Sequence, residues 1–276
     1  MKYAVFTLTV IFLLVSCRSQ DLIRPGDSLQ VAFEKAYAQF EQENWRDASQ
    51  AFETVISIGR GTEFGQDAQF YLAESYFNDR RYMMAASEYE RYSSSHPNSE
   101  RREYSDFMIG KSYYNLSPRF NIDQTYTYRA IEQFRLYMAR YPNSDRITEA
   151  GERIDELRNK LARKEFEAGE FYMRTGRYNA ATVSYDLVID RYPESRWAER
   201  ALVRKIEAYV LYADNSIPAR QEERYRKAVE AYDTYIQLFP RGDNRSDAED
   251  HYDRALTALE QITDEDEDVI TARGGP

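Results

Sequence analysis

The sequence has few of the residues that interrupt helices and few of those that carry disulfide or metal chemistry. Its 276 residues include 11 Gly, 8 Pro, 2 His and 1 Cys. A single cysteine excludes an intrachain disulfide, and His96 and His251 lie too far apart in the chain to form a recognisable metal motif. Phosphate-binding loops and nucleophile elbows are also missing. The sequence therefore predicts no enzyme, no metal site and no cofactor.

The abundant residues are aromatic and charged. The chain has 24 Tyr and 14 Phe, 30% of its residues are charged, and its formal net charge is −10. Large amphipathic side chains with few helix breakers are typical of long, half-exposed helices rather than of sheets and turns. The excess of negative charge repels nucleic acid, so no nucleic-acid partner is expected.

The first residues have the pattern of a bacterial lipoprotein signal. Lys2 precedes the thirteen residues Tyr3–Val15, which are too few to span a bilayer as a helix. The next two residues complete a Leu-Val-Ser-Cys motif that resembles a lipobox. That resemblance implies removal of residues 1–16 and a lipid anchor on Cys17, and Arg18 rather than Asp at the following position implies the periplasmic face of the outer membrane. An ordinary secretory signal with an incidental cysteine is the alternative.

A repeat marked by proline runs through most of the chain. An alanine lies twelve residues before each of four prolines, and an aromatic residue lies eight residues before each. Positions four apart share one helix face, where alanine lets a second helix approach closely and the ring fills the surrounding space. A fifth copy has Ala48 and Phe52 but Arg60 in the proline position. The four proline units contain Ala85, Tyr89 and Pro97; Ala130, Phe134 and Pro142; Ala181, Tyr185 and Pro193; and Ala228, Tyr232 and Pro240.

These positions are those of the tetratricopeptide repeat (TPR), a helix–turn–helix unit of 34 residues. We therefore expect an all-α fold, a TPR superhelical solenoid of about five helix–turn–helix repeats over residues 29–262, ending in a solvent-facing capping helix at 246–262. Residues 17–28 are expected to be the lipidated N-terminus and a flexible tether. Residues 263–276 are expected to be a disordered acidic tail.

Three segments depart from the regular repeat. The third unit has eight additional residues, which predict a longer loop around residues 117–125. Residues 145–173 keep helical spacing without a proline and predict one long helix or two helices stacked end to end. Residues 215–221 indicate another insertion in the fifth unit. A glycine inside a predicted helix, Gly169, indicates a close crossing of two helices.

Several short stretches narrow the family further. The segments 157–165, 171–172, 178–181 and 191–193 resemble the BamD family, the lipoprotein subunit of the BAM complex that folds β-barrels into bacterial outer membranes. Tyr-Pro-x-Ser endings at 141–144 and 192–195, the lipobox and the five repeats fit the same family. That resemblance implies an outer-membrane scaffold that binds unfolded outer-membrane proteins, docks on the barrel-forming (BamA-like) subunit and works beside other assembly lipoproteins. A periplasmic TPR lipoprotein that regulates cell-envelope or peptidoglycan enzymes is the alternative.

The first helices of the repeats carry a candidate site for unfolded substrates. In TPR arrays these helices line the concave face, and seven of the nine groove positions in the first three units are aromatic. Such a surface suits an extended peptide with aromatic side chains, for example the terminal strand of an unfolded barrel protein. Alternatively, the rings pack between adjacent first helices and meet no ligand. The seven residues are Phe33, Tyr37, Phe40, Phe70, Phe77, Phe107 and Tyr114.

A candidate docking site for the partner lies in the fifth unit. Arg196, Arg200 and Arg204 are four residues apart and form a basic stripe on one helix face of an otherwise acidic protein. Arginine pairs well with carboxylates, so the stripe is expected to receive an acidic surface of the barrel-forming subunit. The alternative is a solvated face partly neutralised by Glu199 and Glu207.

Overall fold

The computed structural model describes residues 22–273, with side chains as far as residue 264. The signal peptide predicted for residues 1–16, the lipidation site Cys17 and Arg18 lie outside the described residues. Within the described range the chain forms eleven α-helices and no strand, which confirms the all-α prediction. The helices are α1 Leu29–Glu41, α2 Trp45–Ile58, α3 Glu63–Asn78, α4 Tyr82–Ser95, α5 Arg102–Leu116, α6 Thr125–Arg140, α7 Ile147–Arg174, α8 Tyr178–Arg191, α9 Ala198–Asp214, α10 Pro218–Leu238 and α11 Arg245–Arg273.

Among the described residues, the first compact unit comprises residues 22–116 with Ala139–Tyr141 and contains α1–α5. Within it α1 packs on α2, α3 packs on both, and α4 packs on α3 and α5. The rings of Phe52 and Tyr89, which the repeat places at the helix contacts, are 0% exposed. The alanines of the close contacts are likewise 0% exposed, namely Ala36, Ala48, Ala73 and Ala85. The repeat positions therefore form the core of this unit.

The second compact unit comprises Ser117–Met138 and, as far as the structure describes the chain, residues 142–273. Here α9 is central and packs on α7, α8, α10 and α11. A Cβ atom added at Gly169 of α7 would lie 2.4 Å from Cε1 of Tyr185 in α8. The glycine therefore makes room for a ring of α8, and the close backbone crossing that its position predicted is not what the structure shows.

The irregular segments resolve as follows. Residues 117–124 form a non-helical connection, as predicted, and α7 is one continuous helix of 28 residues. The second insertion lengthens a helix instead of a loop: α10 has 21 residues, whereas the second helices α2, α4 and α8 have 14 each. Only residues 215–217 separate α9 from α10. Pro218 does not prevent this early start, since proline is tolerated in the first helical turn.

The C-terminal end differs from the prediction. The sequence predicted a helix ending at Ile262 and a disordered tail from residue 263, but α11 continues to Arg273. Neither Gly nor Pro occurs in residues 263–273, so no breaker stops the helix. The helix is also not wholly solvent-facing, since Ala248 and Ala255 are 0% exposed against the core of the second unit.

The predicted tether also differs where it is described. The carboxylate of Asp27 accepts hydrogen bonds from the backbone N–H of Arg24 and from Nζ of Lys35, at 2.8 and 2.6 Å. Ser28 caps α1 by accepting from the N–H of Val31. Residues Asp27 and Ser28 are thus hydrogen-bonded to the first helix. No helix among the described residues is both long enough and apolar enough to cross a bilayer.

Candidate binding surfaces

The aromatic positions of the first helices are partly covered by neighbouring side chains. Phe107 and Phe70 are buried, with 2% and 9% of their surface exposed. The other five predicted rings are half-buried. A ligand could therefore touch the half-buried rings without rearrangement, but not Phe107.

Tyr71 joins the rings of α1 to those of α3. Its centroid lies 6.3 Å from that of Phe33, 5.0 Å from Tyr37 and 5.2 Å from Phe40. The ring of Phe70 is 5.5 Å from it on the other side. These edge-to-face contacts are favourable ring pairings. We call these five residues the aromatic cluster; Tyr71, which is itself half-buried, was missed because it lies one position outside the predicted groove spacing.

A cation lies at the edge of the aromatic cluster. The guanidinium carbon of Arg101 is 4.8 Å from the ring centroid of Phe70 and 5.3 Å from that of Tyr71. Arg101 also forms an ion pair with Asp67 at 2.6 Å, so its charge is compensated. Burial raises the pKa of the Tyr71 hydroxyl, against the opposing effect of Arg101. The cluster thus presents rings and hydroxyl donors, which suit apolar and aromatic peptide side chains.

The remaining predicted rings have other surroundings. Phe77 packs on Tyr82 at the start of α4, with 5.4 Å between centroids. Phe107 has the ammonium group of Lys111 5.7 Å from its ring centre, and its burial indicates a role in the core. Tyr114 is half-buried near the end of α5. The structure therefore divides the seven predicted residues: four belong to the aromatic cluster, Phe77 and Tyr114 lie elsewhere on first helices, and Phe107 is a packing residue.

Two carboxylates on first helices accept hydrogen bonds from tyrosines of the second helices. Glu74 accepts a hydrogen bond from Tyr89, and Glu170 accepts one from Tyr185 at 2.6 Å. Burial raises the pKa of Glu74 even though hydrogen bonds from Tyr89 and Tyr104 lower it. These carboxylates therefore satisfy buried tyrosine hydroxyls within their own repeats.

Arg204, the last residue of the predicted arginine stripe, is held inside the second unit. Its Nε and Nη2 atoms contact the two oxygens of Glu170 at 2.7 and 3.1 Å, in a bidentate pair. Its Nη1 atom also bonds Glu207. Burial lowers the pKa of Arg204, but the bonds and charges of these carboxylates outweigh burial and raise it. The stripe available to a partner is therefore shorter than predicted.

Arg196 and Arg200 are exposed and flank a tryptophan. Their guanidinium carbons lie 5.5 and 5.3 Å from the ring centre of Trp197, and Arg200 is also 5.3 Å from Phe166. Neither arginine has an ion pair within residues 22–264. We call Arg196, Trp197 and Arg200 the arginine–tryptophan patch. Cation–π contacts orient these two guanidinium groups while leaving them unneutralised.

A third arginine and a cavity border the arginine–tryptophan patch. Arg163 of α7 lies 5.7 Å from the ring centre of Trp197 and 4.3 Å from that of Phe120 in the 117–124 loop. The buried indole Nε1 of Trp197 has no hydrogen-bond partner among the described residues. A cavity of about 470 Å³ is lined by Glu152, Asp155, Glu156, Asn159 and Arg196. The exposed arginines of the patch fit a carboxylate-bearing polypeptide surface, whereas three carboxylates line the adjoining cavity.

The described helices and surfaces define a class: a helical-repeat protein whose concentrated aromatic and arginine side chains fit other polypeptides. In the part of the chain that the structure covers, no group of three or more His, Cys, Asp or Glu could hold a metal ion. Residues 25–224 match the model of the YfiO family, described as an outer membrane lipoprotein. The chain belongs to this family, which is the BamD family predicted from its sequence motifs.

Curated relatives named outer membrane protein assembly factor BamD come from distant bacteria. The Caulobacter vibrioides protein is 26% identical over 189 residues, which cover 68% of this chain and 60% of that protein. The Rickettsia prowazekii protein is 25% identical, covering 70% of this chain and 76% of its own length. The Vibrio cholerae protein is 24% identical, and the match covers 76% of this chain and 91% of that protein. The chain thus spans less than two thirds of the Caulobacter relative.

Among solved structures, two TPR proteins resemble the chain. The TPR2AB domain–pHSP90 complex of yeast Sti1 has a TM-score of 0.42 and 14% identity, and covers 83% of this chain and 98% of that one. The TPR domain of P58(IPK) has a TM-score of 0.40 and 15% identity, and the match covers 84% of this chain and 66% of that one. At these values the likeness says nothing about ligands.

Proposed function

We propose that the protein is a lipid-anchored scaffold of outer-membrane β-barrel assembly and that it acts by binding, without catalysis. The observation that supports this most directly is the family match over residues 25–224, because that range contains both the aromatic cluster and the arginine–tryptophan patch. The relatives from three bacteria are named as outer membrane protein assembly factors, and we extend that role to this chain.

In this proposal an unfolded barrel protein binds at the aromatic cluster. An extended strand carries alternate side chains on one side, so a terminal strand with several aromatic residues could set its rings against Tyr37, Phe40 and Tyr71. Each aromatic pair adds about 0.5–1.5 kcal/mol beyond burial. A few such contacts favour aromatic-rich segments over others while still permitting release of the cargo.

The barrel-forming subunit, in the same proposal, docks on the arginine–tryptophan patch. Tryptophan and arginine are the residue types most often found at the energetic centre of protein interfaces. Arg196 and Arg200 could each pair with a partner carboxylate, and the buried ring of Trp197 orients both guanidinium groups through cation–π contacts. Arg204 is excluded from this role by its pairing with Glu170.

The membrane attachment in this proposal is a lipid on Cys17. Acyl chains contribute about 0.8 kcal/mol for each buried methylene, so more than one chain is enough for stable anchoring. The relatives' names and the family description refer to the outer membrane, and we propose its periplasmic face for this chain. Other assembly lipoproteins are expected to join the same complex.

The experiment that tests the proposal is affinity purification of the tagged, full-length protein from detergent-solubilised outer membranes, followed by mass spectrometry. We expect a large β-barrel protein with periplasmic modules as the main partner. Recovery of a cell-wall hydrolase or synthase in place of the barrel would support the alternative, a regulator of peptidoglycan enzymes, and would refute the assembly role.

A further inference from the structure

The segment before the first helix forms a strap on the end of the array. Its fixed point is Asp27, which accepts hydrogen bonds from the backbone N–H of Arg24 at 2.8 Å and from Nζ of Lys35 at 2.6 Å. Leu22 and Ile23 in the same segment are half-buried. We call residues 22–28 the strap and the Asp27–Lys35 pair its clasp.

A cavity of about 1040 Å³ separates the strap from the first two helices. Its far walls come from α1, through Lys35 and Gln39, and from α2, through Thr54 and Ile58. An antiparallel helix pair brings the beginning of α1 next to the end of α2. A Cβ atom added at Gly59 would indeed lie 2.6 Å from Cδ1 of Leu29.

The rim of this end of the repeat is amphipathic. Ile58, at the end of α2, presents an apolar side chain that is 55% exposed. Two exposed cations lie here, Arg24 in the strap and Arg60 in the turn that follows α2. Apolar side chains beside cations suit the interface of a phospholipid bilayer, where the cations meet anionic headgroups.

The clasp limits how far a lipid anchor could lie from this rim. Seven peptide links join Cys17 to Arg24, whose N–H is bonded to Asp27, and a fully extended chain spans at most about 3.6 Å per residue, or roughly 25 Å. If the strap were free, eleven links to Ser28 would allow about 40 Å. The clasp therefore shortens the reach of the chain between the lipid and the folded repeat from about 40 Å to about 25 Å.

We propose, on the basis of the lipid anchor proposed above, that the strap end of the first repeat is a membrane-contacting surface and that the clasp holds it against the phospholipid headgroups. The first repeat is then oriented by the Asp27–Lys35 pair and by contact of Ile58 with the bilayer interface, rather than moving freely on a long tether.

The test uses the lipidated full-length protein in phospholipid vesicles that contain a headgroup-attached fluorescence quencher. Since Cys17 is the only cysteine and is consumed by the anchor, Ile58→Cys gives a single labelling site at the proposed contact. Met84→Cys is the matched site: it is 39% exposed and lies at the start of α4, which is the opposite end of the helix pairs, about 20 Å away along a helix of this length.

We expect stronger quenching at position 58 than at position 84, and loss of that difference in Asp27→Ala and in Lys35→Met. Asp47→Ala removes a carboxylate that lines the same cavity but takes no part in the clasp, and it should preserve the difference. Equal quenching at both positions in the vesicle-bound parent protein, or an unchanged difference in both clasp variants, would overturn the proposal while leaving the anchor intact. Failure of the parent protein to float with vesicles would overturn the anchor and this inference together.

Discussion

Tyr185 donates a hydrogen bond to Glu170 at 2.6 Å, joining the second helix of a repeat to the first. Tyr89 and Glu74 form the same pair in an earlier repeat. Where the second helix carries phenylalanine instead, as at Phe52 and Phe134, the equivalent first-helix residues are Tyr37 and Lys111. A carboxylate thus stands at this position where a buried tyrosine hydroxyl needs an acceptor.

Removing the Tyr185 hydroxyl should lower stability at neutral pH. Tyr185→Phe loses a hydrogen bond to a charged group, so we expect a loss of about 1.5–3 kcal/mol in the free energy of unfolding. Burial and the Glu170 carboxylate raise the pKa of Tyr185 above its ordinary value of 10.0. The native state then holds this proton at pH values where the unfolded state releases it, so the stabilisation is complete below pH 10 and declines as the pH rises further.

Urea denaturation at pH 8 and at pH 11 would measure both effects. The difference between the parent protein and Tyr185→Phe should be larger at pH 8 than at pH 11. Tyr178→Phe is the control, because the Tyr178 hydroxyl makes no hydrogen bond within residues 22–264. A difference that grows at alkaline pH would contradict the assignment.

Two glycines in α7 should respond to alanine with opposite signs. A Cβ atom at Gly151 would meet nothing within 4 Å, so Gly151→Ala should stabilise the protein by about 1 kcal/mol through helix propensity. A Cβ atom at Gly169 would lie 2.4 Å from the Tyr185 ring, which is fully buried. Overpacking of a filled core costs about 1–3 kcal/mol, so Gly169→Ala should show no gain and a net loss. Thermal unfolding followed by circular dichroism at 222 nm tests the pair, and equal shifts in both variants would disprove the close contact.

Much of the fold follows from local sequence patterns. Ala85, Tyr89, Ala181 and Tyr185 were assigned to helix contacts by spacing alone, and all are fully buried. Helix spacing is a short-range property, so a repeat makes it visible several times over. The continuation of α11 was missed because a run of acidic residues was interpreted as disorder, although no breaker is present.

The candidate sites were less predictable because they depend on contacts between distant residues. Arg204 shared the spacing of Arg196 and Arg200, but its partner Glu170 is 34 residues away. Phe107 matched the groove spacing but is covered by its neighbours. Tyr71 could not be selected by spacing, since its role comes from rings on another helix.

Substitution of Cys17 should release the protein from the membrane. Without a thiol no thioether-linked lipid can form, so Cys17→Ala should appear in the soluble periplasmic fraction, with the mass of the unmodified chain. Ser16→Thr is the control, because it changes the neighbouring residue and retains the thiol. A Cys17→Ala protein that stays membrane-bound after its partners have been stripped with high salt and urea would count against the anchor.

Charge reversal on the arginine–tryptophan patch should disrupt docking. Arg196→Glu with Arg200→Glu replaces two unpaired cations by anions, and we expect co-purification of the barrel-forming subunit to fall by at least about tenfold, or 1.4 kcal/mol. The matched control is Arg174→Glu with Arg177→Glu, which makes the same charge change at two other exposed arginines. Equal recovery of the barrel-forming subunit in both double variants would show that the arginine–tryptophan patch is not its docking site.

The last prediction concerns the substrate surface and depends on Tyr71. Its ring contacts three aromatic residues of α1 and remains half-buried. Tyr71→Ala should therefore weaken binding of a fluorescent barrel C-terminal peptide by about tenfold or more, because the ring at the centre of the cluster and its contacts are lost. Tyr71→Phe keeps the ring and should bind nearly as well as the parent protein.

Phe77→Ala serves as the matched control, since Phe77 is also in α3 but packs on Tyr82. Fluorescence anisotropy gives the peptide affinity, and a melting curve for each variant separates loss of binding from loss of the fold. Unchanged affinity in Tyr71→Ala, or affinity lost only in proportion to unfolding, would mean that the aromatic cluster holds adjacent first helices together and binds no peptide. A selective loss in Tyr71→Ala, with Tyr71→Phe and Phe77→Ala intact, would identify the cluster as the surface that recognises unfolded barrel strands.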